Sequence, residues 1–143
     1  MEEKQIGIEI KILANLIGRR LNEVGINDEH NGLTGPQGLV LGYLYDHQGQ
    51  DIFQKDIEAT FNIRRSSATG LLQCLEGNGF IQRISVDYDA RLKKIVLTKK
   101  AYEFKEALES HIQKMEEVLV KDLESQEIED LIRIIGKIKR NLE

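Results

Sequence analysis

Arg64-Arg65-Ser66-Ser67-Ala68-Thr69-Gly70-Leu71-Leu72-Gln73-Cys74-Leu75-Glu76-Gly77-Asn78-Gly79 is the stretch on which the fold turns. Ala68, Leu71, Leu72 and Leu75 recur at helical steps and mark one buried face. Ser66, Ser67, Thr69 and Gln73 fall on the opposite side. Gly77 and Gly79 are expected to supply left-handed exits that a Cβ resists. Upstream, Gln54 to Thr60 predicts a short helix with Ile57 and Phe61 inward, separated from the next by Asn62-Ile63. Downstream, Phe80 to Ser85 and Leu92 to Leu97 alternate as two strands. They flank a charged loop, Asp87-Tyr88-Asp89-Ala90-Arg91-Leu92-Lys93-Lys94. Helix, tight turn, helix and hairpin together read as a winged helix-turn-helix.

Outward from this lobe the chain is helical. Ile6, Ile10, Leu13, Ile17, Leu21 and Val24 give one stripe over a helix from about Glu3 to Val24. Gly25 to Gly32 is polar and breaks it. Thr34 followed by Gln37 predicts a capping box, with Pro36 tolerated in the first turn and Val40, Leu41 and Leu44 in the core. Gly49 closes that helix. After Thr98, Ala101, Phe104, Leu108, Ile112, Met115 and Leu119 share a face. From Ser125, Ile128, Leu131, Ile135, Ile138 and Leu142 share another.

The expected class is therefore mainly α, an α+β winged helix. Residues 1–32 form an N-terminal dimerisation helix, 33–98 the lobe, and 99–143 C-terminal dimerisation helices. Apolar faces at both ends exceed what a small lobe can bury, so a two-fold homodimer arm is expected.

The net charge is −4 over 143 residues, which alone argues against a polyanion partner. Distribution reverses that. Residues 64–100 hold eight Lys/Arg and three acids, while the rest holds twelve Lys/Arg and twenty-one acids. A basic helix start beside a basic hairpin suits adjacent grooves of double-stranded DNA. The candidate contacts are Arg64, Arg65, Ser66, Ser67, Thr69, Gln73, Arg91 and Lys93. Arg65 can fork onto guanine. Arg64 stands where a Ser or Thr cap is usual, leaving first-turn amides open to a phosphate; the blander account starts the helix at Asn62, itself a good cap. Asp89 can orient the Arg91 guanidinium towards a minor groove, whereas the bland role of Lys93 and Lys94 is to keep an edge strand soluble.

Other functions find little support. No nucleophile elbow, phosphate-binding glycine loop or paired-carboxylate motif occurs, so no enzyme is expected. His30, His47 and His111 lack ligand spacing, so neither metal nor cofactor is expected. Cys74 reads as a buried apolar filler rather than a sensor thiol. A single cysteine, no long apolar run and no secretory leader point to the cytoplasm and away from a membrane. Arg19, Arg20, Tyr43 and His47 lie at the edges of the stripes; they serve as surface and packing residues, or line an effector crevice between arm and lobe. The rival to a DNA-binding regulator is a winged-helix interaction adaptor.

These residues resemble the MarR family of transcription regulators. The matching run is Leu33-Thr34-x-x-Gln37-x-x-Val40-Leu41-x-x-Leu44, then Ile57 and Ile63. It continues through Ser66-Ser67-Ala68-Thr69-x-Leu71-Leu72-x-x-Leu75-Glu76-x-x-Gly79-Phe80-Ile81 to Asp89-x-Arg91 and Leu97-Thr98. The resemblance implies a homodimer on a pseudo-palindromic operator; a repressor is the expected role, with an activator as the alternative. It places Arg65, Ser66, Ser67, Thr69 and Gln73 in the major groove and Arg91 in the minor groove. It also implies response to a small effector, often an aromatic or phenolic compound in the crevice between arm and lobe, though some members of the family sense oxidants or metals. Two departures stand out: Arg64 replaces the usual hydroxyl cap, and the first helix lacks a cysteine, which speaks against peroxide sensing.

Overall fold

The computed structural model describes residues 4–23 and 33–143. Among them the order is α1 (Ile6–Glu23), α2 (Gly35–Asp46), α3 (Gln54–Phe61), α4 (Arg65–Gly77), β1 (Ile81–Val86), β2 (Asp89–Leu97), α5 (Lys99–Leu119) and α6 (Ser125–Leu142). The expected helix ends at Glu3 and Val24, the polar break at 25–32 and His30 lie outside the described residues. The chain divides into two compact units, residues up to 112 and residues 113–143, with the boundary inside α5.

In the first unit, Thr34 caps α2, and the Gln37 side chain reaches back to accept from the Thr34 amide at 3.4 Å. Val40 and Leu41 then lie fully inside with Leu33, Ile57, Ala68, Leu72 and Leu75. At roughly 1.5–3 kcal/mol per buried aliphatic side chain, this cluster dominates the lobe's stability. Packing is close where α2 meets α5, since a Cβ on Gly42 would stand 3.0 Å from Ile112 Cδ1. The Tyr45 hydroxyl donates to the Ala101 carbonyl, tying α2 to the start of α5. Burial, followed by Glu109 and Tyr102, pushes its pKa up to about 12.

α4 leaves through a Schellman turn. The Gly79 amide donates to the Glu76 carbonyl at 3.0 Å, and the Phe80 amide to the Leu75 carbonyl at 2.9 Å. Gly79 alone takes the left-handed conformation, with φ +81°. The expected second left-handed exit at Gly77 is corrected: Gly77 is the last helical residue, and one reversal completes the motif. Phe80 and Leu75, at the two positions where such a motif places its apolar contact, are both fully buried. Thr98 fastens the same corner, its amide donating to the Phe80 carbonyl at 3.1 Å and its hydroxyl to the Gly79 carbonyl at 2.5 Å.

The hairpin is tighter than expected. β1 pairs antiparallel with β2 from Ile81↔Leu97 to Ser85↔Lys93, then jumps to Val86↔Asp89. The turn itself is Asp87-Tyr88, and Ala90, Arg91 and Leu92 form a bulge in β2. The expected loop over 87–94 is thus largely strand. Behind it, the Ile95 amide donates to the Ile52 carbonyl at 2.7 Å.

Two stripes remain largely uncovered within one chain. On α1 only Leu21 of the expected stripe is buried, and Ile6, Ile10 and Leu13 are exposed, as are Ile8, Ile12 and Leu16. In the second unit α6 buries no residue, and Leu131, Ile132, Ile135 and Leu142 are exposed.

Candidate nucleic-acid interface

Arg64 is the N-cap of α4 and makes no side-chain cap hydrogen bond. The alternative start at Asn62 is excluded, because Asn62 caps the C-terminus of α3 in a left-handed conformation, φ 49°. The first-turn amides of α4 therefore lack a side-chain acceptor at the positive end of the helix dipole, the usual arrangement for receiving an anion.

Burial of Ala68, Leu72 and Leu75 turns the other side of α4 outward. Arg64, Arg65, Ser66, Ser67 and Gln73 are exposed there, while Thr69 is half-buried. Thr69 is also committed. Its hydroxyl donates to the Arg65 carbonyl at 2.8 Å and accepts from Gln54 Nε2 at 2.9 Å. Its donor is spent within the helix, so only acceptor capacity remains. Cys74 is exposed. The expected burial is corrected: two residues past Leu72, it falls off the leucine face.

Arg91 tops the bulge with its side chain 90% exposed. Asp89 organises it three ways. The carboxylate accepts from the Arg91 amide at 2.9 Å, from Nε at 3.2 Å and from Nη2 at 3.2 Å. The first of these gives the amide of a residue standing outside the paired register a partner. The Arg91 side chain, then its amide, holds the Asp89 carboxyl below its ordinary value. A depressed acid contributes above its unfolded pKa and loses that contribution as pH falls through the folded one, so the pair is intact at neutral pH.

The two elements meet. A cleft of about 570 Å³ is lined by Gln54 and Lys55 of α3, Arg65 and Thr69 of α4, and Arg83, Arg91 and Lys93 of the hairpin. Five cations thus border one concavity, with Glu58 as the acid in its wall. Such a surface attracts phosphates and offers side chains to base edges.

Tyr43 and His47 stack at 4.0 Å between ring centroids, and His47 Nδ1 lies 2.8 Å from the Tyr43 carbonyl. Tyr43 also meets Phe61 edge-on at 5.9 Å. Phe61 lines an apolar cleft of about 280 Å³ with Ile17, Leu21, Val40 and Leu71. Arg19 and Arg20 are exposed beside Gly18, which lines the same cleft, and neither guanidinium pairs with Tyr43 or His47.

Sequence reasoning missed Gln54, the Glu76–Arg83 ion pair at 3.4 Å, and the Tyr88–Asp51 hydrogen bond at 3.2 Å. Their partners lie too far along the chain for any local pattern to reveal. Among the described residues no group of His, Cys, Asp or Glu could hold a metal ion, and no helix is long and apolar enough to cross a membrane.

Helix, turn, exposed helix and two-stranded wing define a winged helix-turn-helix protein. Residues 31–92 match the sequence model of the MarR family. An uncharacterized HTH-type transcriptional regulator of Bacillus subtilis (strain 168), YybA, is 26% identical over 129 residues, covering 90% of this chain and 85% of that protein. The crystal structure of the S. aureus MepR–DNA complex is similar with a TM-score of 0.87 at 28% identity, covering 99% of this chain and all of that one. The heme sensor PefR from Streptococcus agalactiae, in complex with heme, gives 0.63 at 26% identity, covering 97% and 95%. The chain is thus similar to the MarR family of transcription regulators, most directly over residues 31–92.

Proposed function

We propose that this protein is a dimeric, sequence-specific DNA-binding repressor whose pseudo-palindromic operator is released on binding a small aromatic effector. The cation-bordered cleft shared by α4 and the bulged hairpin carries the reading. Arg65, Ser66, Ser67 and Gln73 read the major groove, with Thr69 contributing as an acceptor. Arg64 and Lys93 contact phosphates, and Arg91 enters the minor groove. MepR, similar over nearly its whole length, has been seen on DNA.

The exposed apolar faces of α1 and α6 are covered by a second copy, which sets two recognition helices at about 34–36 Å for successive major grooves. The effector enters the apolar cleft next to Phe61 and changes that spacing. A heme-bound relative supports ligand response in this fold.

The test is selection of bound fragments from random duplexes, followed by fluorescence anisotropy across a salt series. Binding that weakens steeply with salt is expected. No salt-sensitive attraction to any selected duplex overturns the reading in favour of a protein adaptor.

Two substitutions probe the interface. Arg91→Ala should weaken binding to a selected duplex by about 1–3 kcal/mol without changing the oligomeric state. An unaltered titration removes the wing from the contact. Gly70→Ala is more discriminating, because a Cβ there meets nothing within 4 Å. Alanine in a helix interior should raise stability by about 0.5–1 kcal/mol, and a methyl between helix and groove should lower specific affinity. A higher melting temperature with unchanged affinity places Gly70 off the contact.

A further inference from the structure

We propose that Asp51, outside the cleft shared by α4 and the hairpin, is a positioning residue that tethers the wing and sets where Arg91 points. The inference rests on the DNA-binding reading above and names a residue on which its geometry depends.

Among the described residues the Arg91 guanidinium is bonded only to Asp89, within its own hairpin. Its direction in space therefore follows that of the hairpin as a body. The hairpin is held at both edges. On the β1 side, Arg83 Nε pairs with Glu76 Oε2 of α4 at 3.4 Å. On the other side, the segment before α3 supplies three attachments. Tyr88 at the turn donates its hydroxyl to Asp51 Oδ2 at 3.2 Å. Lys94 Nζ lies 3.7 Å from Asp51 Oδ1. One residue on, the Ile52 carbonyl accepts from the Ile95 amide at 2.7 Å. Asp51 thus grips β2 near its middle and the turn at its tip, on either side of the bulge that carries Arg91.

Electrostatics alone points the other way. Asp51 is an anion close to cations that meet phosphate, and its carboxylate is 47% exposed. If charge were its only role, removing it would tighten binding to every duplex. If it positions the wing, removal loosens binding where Arg91 must be correctly placed. The two accounts differ in sign.

The experiment uses the full chain, Asp51→Ala and Tyr88→Phe, with two probes: a duplex selected by the wild type from a random pool, and a scrambled duplex of equal length. Amide hydrogen exchange over residues 86–94 is followed without DNA. The tether predicts faster exchange in both variants. It predicts about three- to ten-fold weaker binding of Asp51→Ala to the selected duplex, the range for an exposed charge-assisted contact. Binding to the scrambled duplex should be unchanged or stronger. In an Arg91→Ala background the Asp51→Ala penalty should vanish, since the two act in series.

Equal tightening on both duplexes, unaltered exchange, or a full penalty without Arg91 overturns the tether. A wild type that binds neither duplex overturns the DNA reading instead, and the exchange measurement still decides whether Asp51 holds the wing.

Discussion

Replacing Leu131 and Ile135 together by glutamate is expected to convert the proposed dimer into monomers and to cost specific DNA affinity about a hundred-fold or more. Both residues are exposed, and α6 buries nothing within the chain, so the winged lobe should fold unchanged. The size of the effect follows from what association must overcome, about 4–15 kcal/mol in lost freedom. Completing the burial of a half-exposed Leu or Ile returns roughly 1 kcal/mol, by area. In the proposed dimer, Leu131, Ile132, Ile135 and Leu142 from two copies would return roughly 8 kcal/mol, within that range, and the exposed isoleucines and leucines of α1 would add to it. Adding four carboxylates to such a seam reverses its sign. Once separate, each lobe binds a half-site alone and the gain from simultaneous engagement disappears. Light scattering reads the first effect and anisotropy the second. Deleting 125–143 should likewise abolish the dimer, and a dimer that persists in either variant refutes the arrangement.

Phe80→Ala is expected to remove about 3–5 kcal/mol of stability, the usual cost of emptying a buried aromatic site. Four structures converge on this side chain. Its amide closes the Schellman turn onto the Leu75 carbonyl, it leads from Gly79 into β1, and its ring lies 5.7 Å from the Phe104 ring. Lys100 Nζ sits 4.6 Å from its centroid while donating to the Asn78 carbonyl at 2.6 Å. The change should lower the melting temperature by about 10 °C or more, as measured by calorimetry. It should also uncouple α4 from the hairpin, so that DNA affinity falls even where the protein remains folded. A shift of only a few degrees denies Phe80 this central place.

What could be read from the residues divides by range. The Thr34–Gln37 cap and the Asp89–Arg91 pair span four residues or fewer, and each stands where the pattern put it. On the α4 face Ala68, Leu72 and Leu75 are buried as expected, while Leu71 is only half-buried and lines the apolar cleft. The hairpin was read too short because the bulge at Ala90, Arg91 and Leu92 interrupts the alternation of β2 where the charged residues cluster. Gly77 was misread because two glycines flank Asn78 and one left-handed residue suffices. Cys74 was misassigned by residue type, although its phase against Leu72 and Leu75 already turned it outward. Thr69 looked like a free hydroxyl because Gln54, fifteen residues earlier, gave no local sign of bonding to it. Asp51 and Tyr88, thirty-seven apart, were equally silent.

Three consecutive residues of β2 stand outside the ladder, and the amide among them that would have gone wanting is served by a neighbouring side chain. Exchanging or lengthening this fingertip would therefore break no cross-strand bond. The residues at this tip can vary without disturbing the pairing from Ile81↔Leu97 to Ser85↔Lys93.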